Sequence, residues 1–159
     1  MQFFTIGVFH STEEGYFNKL TENRIDTFCD IRQRRSVRGS TYSFVNSTSL
    51  QKKLSALRIQ YRYETGLAPT QAVREVQKQT DLKNHETITE RTVIGKAFAS
   101  EYKKKILDKF DFKSFMETLE RQGSQRVVLF CVEEFASACH RSLVAEKLQK
   151  DFHFRVANL

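Results

Sequence analysis

The side chains best suited to chemistry are concentrated in one segment near the C-terminus. This segment contains Cys131, Glu133, Cys139, His140 and Arg141. A thiol, a carboxylate, an imidazole and a guanidinium are the groups that proteins use for nucleophilic attack, proton transfer, metal binding and anion recognition. The segment is therefore the first candidate for a functional site.

Nucleophilic catalysis is one chemistry that these residues permit. Cys131 could attack a substrate with His140 or Glu133 as the base, because cationic groups and helix N-termini favour a thiolate. A free cysteine at the end of a strand is more often a packing residue, so we expect Cys131 to be buried and unreactive. The loop of cysteine phosphatases is excluded, because its arginine stands much closer to the cysteine than Arg141 stands to Cys131.

Zinc binding by Cys131, Cys139, His140 and His10 is a second possibility. No paired C-x-x-C spacing supports it. Cys139 and His140 are also adjacent, and neighbouring side chains on a helix point in different directions. We therefore predict no bound metal and no other cofactor.

Acid/base catalysis is the third possibility and the one that we favour. Asp30, Glu133 and His140 carry groups suited to proton transfer, and Arg32 and Arg141 could hold the phosphate of a ligand. The alternative is structural, with Asp30 paired to Arg141 and Glu133 paired to Arg32. We favour a functional site because the residues come from several distant segments.

The elements that must position these residues follow from the hydrophobic pattern. Short apolar or β-branched runs predict strands at residues 2–8, 25–31, 58–63, 126–132 and 153–156. Amphipathic spacing predicts helices after the first, second and fourth strands, the first opened by a capping box of Ser11 and Glu14. Residues 64–125 have helical stripes and the only proline, which predicts a helical insertion before the fourth strand.

Together these elements predict one α/β domain over residues 1–159. It is a single open, mostly parallel sheet of about five strands with helices on both faces. In such sheets, ligands bind at the carboxyl ends of the strands. The polar residues predicted at this edge or at the following helix N-terminus are His10, Ser11, Asp30, Arg32, Arg34, Glu64, Cys131, Glu133, Cys139, His140, Arg141 and Ser142.

Positive charge is distributed unevenly along the chain. The net charge is +7, and residues 31–79 contain ten basic and two acidic side chains. Within this part, Arg32, Arg34, Arg35 and Arg38 form an arginine-rich loop without an intervening acid. Such a loop suits an anionic partner such as phosphate. A solvated loop without a partner is the alternative.

Composition and spacing exclude several classes of protein. The 14 Phe and 5 Tyr residues exclude disorder over most of the length. The longest apolar run, Val127–Val132, is too short to cross a bilayer, and the N-terminus lacks the basic start of a secretory signal. We therefore expect a cytoplasmic protein with reduced cysteines. The six glycines stand singly, which excludes a Walker A loop and a dinucleotide-binding fingerprint.

Seven segments together resemble a bacterial family catalogued as domain of unknown function 488. They are Thr5–Val8, Ile25–Thr27, Asp30–Arg32, Val37–Ser40, Leu67–Thr70, Cys131–Glu133 and Cys139–Leu143. The resemblance implies an α/β domain with a polar cluster of this kind, and it implies no reaction. Arg62–Glu64 departs from the family pattern, in which a histidine often follows this strand.

These observations lead to a functional hypothesis and one main alternative. We expect an enzyme that acts on a phosphate-bearing ligand, either a nucleotide or a nucleic-acid end, by acid/base chemistry. The alternative is a non-catalytic module that binds nucleic acid through the Arg32–Arg38 loop, and a protein-interaction domain is a third option. The expected partner is an anionic small molecule or a nucleic acid, and not a membrane. The sequence does not indicate the oligomeric state.

Overall fold

The fold is built on one sheet of five parallel strands. The computed structural model describes all 159 residues. The strands are β1 (Gln2–Ile6), β2 (Thr27–Asp30), β3 (Gln60–Tyr63), β4 (Arg126–Phe130) and β5 (Val156–Asn158). Their order across the sheet is β3-β2-β4-β1-β5. The predicted α/β class and the open parallel sheet are therefore confirmed.

Six α-helices connect the strands. They are α1 (Glu13–Glu22), α2 (Ser47–Ala56), α3 (Gln71–Asn84), α4 (Lys96–Tyr102), α5 (Phe112–Arg121) and α6 (His140–Phe152). Helices α3, α4 and α5 all lie between β3 and β4, which confirms the predicted helical insertion. A π-helical turn at Lys103–Leu107 follows α4. No helix has the length and apolar character needed to span a membrane.

Each face of the sheet has its own apolar cluster, because successive side chains of a strand point to opposite faces. On one face, Tyr16 of α1 and Leu50 of α2 belong to a cluster that includes Phe28 of β2. On the other face, helices α3 to α6 cover a cluster that includes Leu129 of β4 and Leu148 of α6. The central strands β1, β2 and β4 are therefore buried on both sides, and their charged side chains, Asp30 and Arg126, stand at strand ends.

Two local predictions are wrong. The N-cap of α1 is Thr12 and not Ser11, because the Thr12 Oγ1 accepts the 3.1 Å hydrogen bond from the Gly15 N–H. The last strand begins at Val156, since His153 has a φ of 58° and ends α6 in the left-handed conformation. Neither difference changes the topology of the sheet.

The topology places a crevice at the carboxyl ends of β2 and β4. These strands are neighbours in the centre of the sheet, and Asp30 at the end of β2 is aligned with Phe130 at the end of β4. From β2 the chain continues through α2 to β3, at one edge of the sheet. From β4 it continues through α6 to β5, at the opposite edge and over the other face. A reversal of this kind is where open α/β sheets bind ligands.

Candidate ligand-binding site

A cavity of about 370 Å³ lies at this carboxyl edge, which is a size typical of small-molecule sites. The segments after β2 and β4, helix α3, the loop before α4 and the start of α6 all contribute to its wall. The basic residues of the wall are Arg32, Arg34, Arg74, Lys78 and Arg91, and the acidic residues are Asp81 and Glu133. Val37, Ile88, Ile94, Phe98 and Val132 form an apolar part of the wall.

Asp30 and Arg32 form a buried, bidentate ion pair. Arg32 donates from Nε to Asp30 Oδ1 at 2.8 Å and from Nη2 to Oδ2 at 2.7 Å. The Arg32 backbone N–H and the Tyr61 hydroxyl also donate to this carboxylate. The guanidinium lies 4.4 Å from the centre of the Phe130 ring. Both oxygens of Asp30 are thus fully used, whereas Nη1 of Arg32 has no hydrogen-bond partner.

Arg91 connects the helical insertion to the segment after β4. Its Nη1 donates to Asp81 Oδ2 at 2.7 Å, and its Nη2 donates to Glu133 Oε1 at 3.1 Å. The Nε of Arg91 donates to the Ala138 carbonyl. Glu133 Oε2 is buried and has no partner. Asp30 and Glu133 do form ion pairs, but the pairs predicted with Arg141 and Arg32 are wrong. Asp30 pairs with Arg32, and Glu133 pairs with Arg91.

A compact group of two sulfurs and one imidazole lies beside this ion pair. The Nδ1 of His140 is 3.8 Å from Cys131 Sγ and 3.7 Å from Cys139 Sγ. The Nε2 of His140 is 3.1 Å from the Ile31 carbonyl oxygen. Since a carbonyl only accepts, Nε2 carries a hydrogen, and in the neutral ring the lone pair of Nδ1 faces the sulfurs. Cys131, Cys139 and His140 are all buried, as predicted for Cys131.

The environment shifts the pKa values of these groups. Burial, together with the negative charge of the nearby Cys139 thiolate, raises the pKa of Glu133 to about 7. Burial opposes ionisation of Cys139, but the neighbouring Cys131 thiol and the positive charge and close contact of the His140 ring hold its pKa well below the ordinary value. The neighbouring Cys139 sulfur and burial raise the pKa of Cys131 well above its ordinary value.

Cys139 also raises the pKa of His140. Burial alone would lower the pKa of this imidazole, but the charge and hydrogen bond of Cys139 outweigh burial. Cys139 and His140 therefore stabilise each other's charged form.

Arg141 and Ser142 stabilise the backbone around the site and do not line the cavity. Arg141 is buried and donates from Nη1 to the Glu133 carbonyl at 2.5 Å and from Nη2 to the Glu134 carbonyl at 2.7 Å. Ser142 Oγ donates to the Cys139 carbonyl at the start of α6. The Arg141 guanidinium, which we predicted to contact phosphate, is thus engaged in fixing the loop after β4.

His10, Ser11 and Glu64 lie outside the cavity wall. His10 is exposed, 3.8 Å from the Glu134 carboxylate. Glu64 accepts hydrogen bonds at 2.9 and 2.6 Å from Arg62 at the end of β3. Of the residues predicted from strand ends, the cavity wall therefore contains Arg32, Arg34, Cys131, Glu133 and His140.

The arginine-rich loop divides into a buried and an exposed part. Arg32 is buried in its ion pair, whereas Arg34, Arg35 and Arg38 are exposed. Arg35 lies 4.4 Å from the centre of the Tyr63 ring, and Arg34 lines the cavity. Only one exposed arginine of the loop therefore reaches the candidate site.

Sequence reasoning missed the contribution of the helical insertion. Arg74, Gln77, Lys78 and Asp81 recur at spacings of three and four on α3, which places them on one face of the helix. The spacing of this polar stripe is visible in the sequence, whereas the burial of Gln77 within it is visible only in the structure. Arg91 has no such signal, because it lies in a loop far along the chain from its partner Glu133.

The fold and the site together define an α/β protein of the open parallel type, with a cavity at the carboxyl edge of its sheet. The chain belongs to the family described as "Domain of unknown function DUF488", whose profile matches residues 12–148. This match confirms the resemblance seen in the sequence and includes every residue of the cavity wall. No curated protein matched the chain, and no solved structure matched it.

Proposed function

We propose that the protein is an enzyme that binds a phosphate-bearing ligand in this cavity and uses Glu133 for proton transfer. One observation carries the proposal: Nη1 of Arg32 and Nε of Arg74 are buried without a hydrogen-bond partner, and both residues line the cavity. A buried donor without an acceptor is unfavourable by about 1–3 kcal/mol. Guanidinium groups match the oxygens of phosphate in geometry and charge, so a bound phosphate would supply the missing acceptors.

The balance of charge in the wall supports an anionic ligand. Arg91 forms ion pairs with both acidic side chains of the wall, Asp81 and Glu133. Asp30 compensates the charge of Arg32. The charges of Arg34 and Arg74 have no ion-pair partner, whereas Lys78 is paired at 3.7 Å with the exposed Glu75, which lies outside the wall. The apolar part of the wall suits the base of a nucleotide.

The geometry favours Glu133 as the group that exchanges a proton with the ligand. Arg91 holds its Oε1, and Arg141 holds its backbone carbonyl, so the position of the carboxyl group is fixed. Its Oε2 has no protein partner. Asp30 and His140 are less suited, because the oxygens of Asp30 are fully hydrogen-bonded and the ring nitrogens of His140 face Ile31 and the sulfurs.

Non-catalytic binding of nucleic acid through the arginine-rich loop has weaker support. Arg32 is buried in an ion pair, which leaves Arg34, Arg35 and Arg38 for a phosphate backbone. A nucleic-acid end still falls within the proposed ligand class, because Arg34 belongs to both the loop and the cavity wall.

Glu133→Gln separates catalysis from binding. We expect this variant to lower kcat by about 10²–10⁴-fold, the usual contribution of a positioned acid/base group, while ligand affinity changes little. The measurement follows conversion of ribonucleoside mono-, di- and triphosphates by ³¹P NMR, and titration calorimetry gives the affinity. The matched control is Glu134→Gln, the exposed neighbouring carboxyl group. Conversion of none of these compounds by the native protein, or equal rates for native protein and Glu133→Gln, would contradict the assignment.

A further inference from the structure

The two sulfurs and the imidazole beside the cavity are arranged like the ligands of a metal ion. The Sγ atoms of Cys131 and Cys139 and a ring nitrogen of His140 all lie within 4.8 Å of one another. In a tetrahedral zinc site with Zn–S near 2.3 Å and Zn–N near 2.0–2.1 Å, sulfur and nitrogen are about 3.6 Å apart. The Sγ···Nδ1 distances of 3.8 and 3.7 Å are close to this value. The two sulfur–nitrogen distances therefore fit a shared ion, and the two sulfurs, which lie within 4.8 Å of each other, would take up a separation of about 3.8 Å around it.

The orientation of His140 is a second and independent observation. Its Nε2 is held by the Ile31 carbonyl at 3.1 Å, which leaves the lone pair of Nδ1 directed toward the sulfurs. A histidine that binds a metal almost always donates its other N–H to a carbonyl or carboxylate, which fixes the tautomer and the ring. The Ile31 carbonyl is such a partner for His140.

The backbone explains how two adjacent residues can share one ion. Cys139 is the N-cap of α6 and has an extended conformation, with φ −130° and ψ 147°. It therefore does not follow the helical geometry that would separate its side chain from that of His140. The loop before it is fixed, because the Arg91 Nε donates to the Ala138 carbonyl and the Ile94 N–H donates to the Ser137 carbonyl.

We propose that Cys131, Cys139 and His140 bind one Zn²⁺ ion, with its fourth coordination position open to the cavity. Two sulfurs and one imidazole suit a borderline-soft divalent ion, and three protein ligands with one open position are typical of catalytic zinc. Cys131 and His140 line the cavity and Cys139 does not, which places the open side toward the ligand. His10, which the sequence suggested as a fourth ligand, is exposed near Glu134 and is not part of the site.

A Zn²⁺ ion at this site would act together with the carboxyl group of Glu133. Glu133 also lines the cavity, and its free Oε2 is available to a water molecule on the ion. This role of Glu133 rests on the proposed function, whereas binding of the ion does not. This proposal differs from the expectation, drawn from the sequence alone, that the chain binds no metal.

Metal titration of the reduced, full-length chain tests the proposal. We expect one Co²⁺ per chain, with a thiolate-to-cobalt charge-transfer band that one equivalent of Zn²⁺ removes. Cys139→Ala should weaken Zn²⁺ binding by about 100-fold or more, since even loss of an outer-shell partner costs 10–100-fold. The matched control is Cys29→Ala, because Cys29 is a fully buried cysteine of β2 outside this group. The Zn²⁺ affinity of Cys29→Ala should equal that of the native chain.

Thiol labelling of the native chain provides a measurement that needs no variant, in case Cys139→Ala does not fold. Because all three thiols are buried, labelling is carried out in urea just below the unfolding transition, where Zn²⁺ should slow modification of Cys131 and Cys139 more than that of Cys29, with each site followed by mass spectrometry. The absence of a charge-transfer band, equal Zn²⁺ affinity in a folded Cys139→Ala, or unchanged labelling of Cys131 and Cys139 would overturn the proposal. None of these measurements depends on phosphate binding or turnover, so failure of the metal site and failure of the proposed function are distinguishable.

Discussion

Replacing Asp30 with alanine is expected to lower the free energy of unfolding by about 3–5 kcal/mol, because it leaves a buried charge without its partner. Asp30 is fully buried and receives two side-chain hydrogen bonds from Arg32 and one from the Tyr61 hydroxyl. Without the carboxylate, the guanidinium of Arg32 would remain desolvated between Phe130 and the loop after β2. Urea denaturation followed by circular dichroism measures the loss.

Two further variants make this test specific. Asp151→Ala removes an exposed ion pair with Lys147 and should leave the stability almost unchanged, because solvent screens such pairs. The double variant Asp30→Ala/Arg32→Met removes both buried charges, so it should recover much of the stability that Asp30→Ala loses. Equal stability of Asp30→Ala and the native protein would contradict the description of this pair.

Replacing Gly7 with alanine is expected to destabilise the protein by about 3 kcal/mol, at the upper end of the usual cost of overpacking. A Cβ atom at Gly7 would lie 1.9 Å from the Glu133 carbonyl oxygen and 3.0 Å from Nη2 of Arg141. The first of these contacts is with backbone, which a rotamer change cannot relieve. The segment that carries Glu133 must therefore move, and ligand binding in the cavity should fall together with stability.

Gly39→Ala provides the comparison for this variant. Gly39 has a φ of 79° in an exposed loop, and an added Cβ would meet no atom within 4 Å. Its expected cost is only the backbone strain of about 1–2 kcal/mol for an L-residue in this conformation. Thermal and urea unfolding measure both variants. If Gly7→Ala were as stable as Gly39→Ala, or more stable, the close approach between the residue after β1 and the loop after β4 would be contradicted.

The sheet and its polar edge were predictable from the sequence because both depend on short-range patterns. The apolar run that contains Val127–Phe130 predicts a buried strand, and the polar residues after it must then lie at the sheet edge. The same reasoning placed Asp30 and His140 at one edge, which the contact between His140 Nε2 and the Ile31 carbonyl confirms.

The partners of the buried charges were not predictable, because they depend on how the helical insertion folds over the sheet. Arg91 lies in a loop and reaches Glu133 across 42 positions of the chain. Arg32, in contrast, pairs with a residue only two positions away. The convergence of Cys139 and His140 was also hidden, since it depends on the extended backbone of the N-cap and not on residue type or spacing.

Titration calorimetry of the native protein and Arg74→Gln tests the central claim, that the cavity binds phosphate, most directly. The probes are inorganic phosphate and the four ribonucleoside 5′-monophosphates. We predict one saturable site per chain for at least one probe, and an affinity about 10–100-fold weaker in Arg74→Gln, as expected for loss of a hydrogen bond between charged groups. The control Arg121→Gln removes an exposed arginine of α5 outside the cavity and should bind like the native protein. No saturable binding of any probe by the native protein, or equal affinity in Arg74→Gln, would contradict the claim.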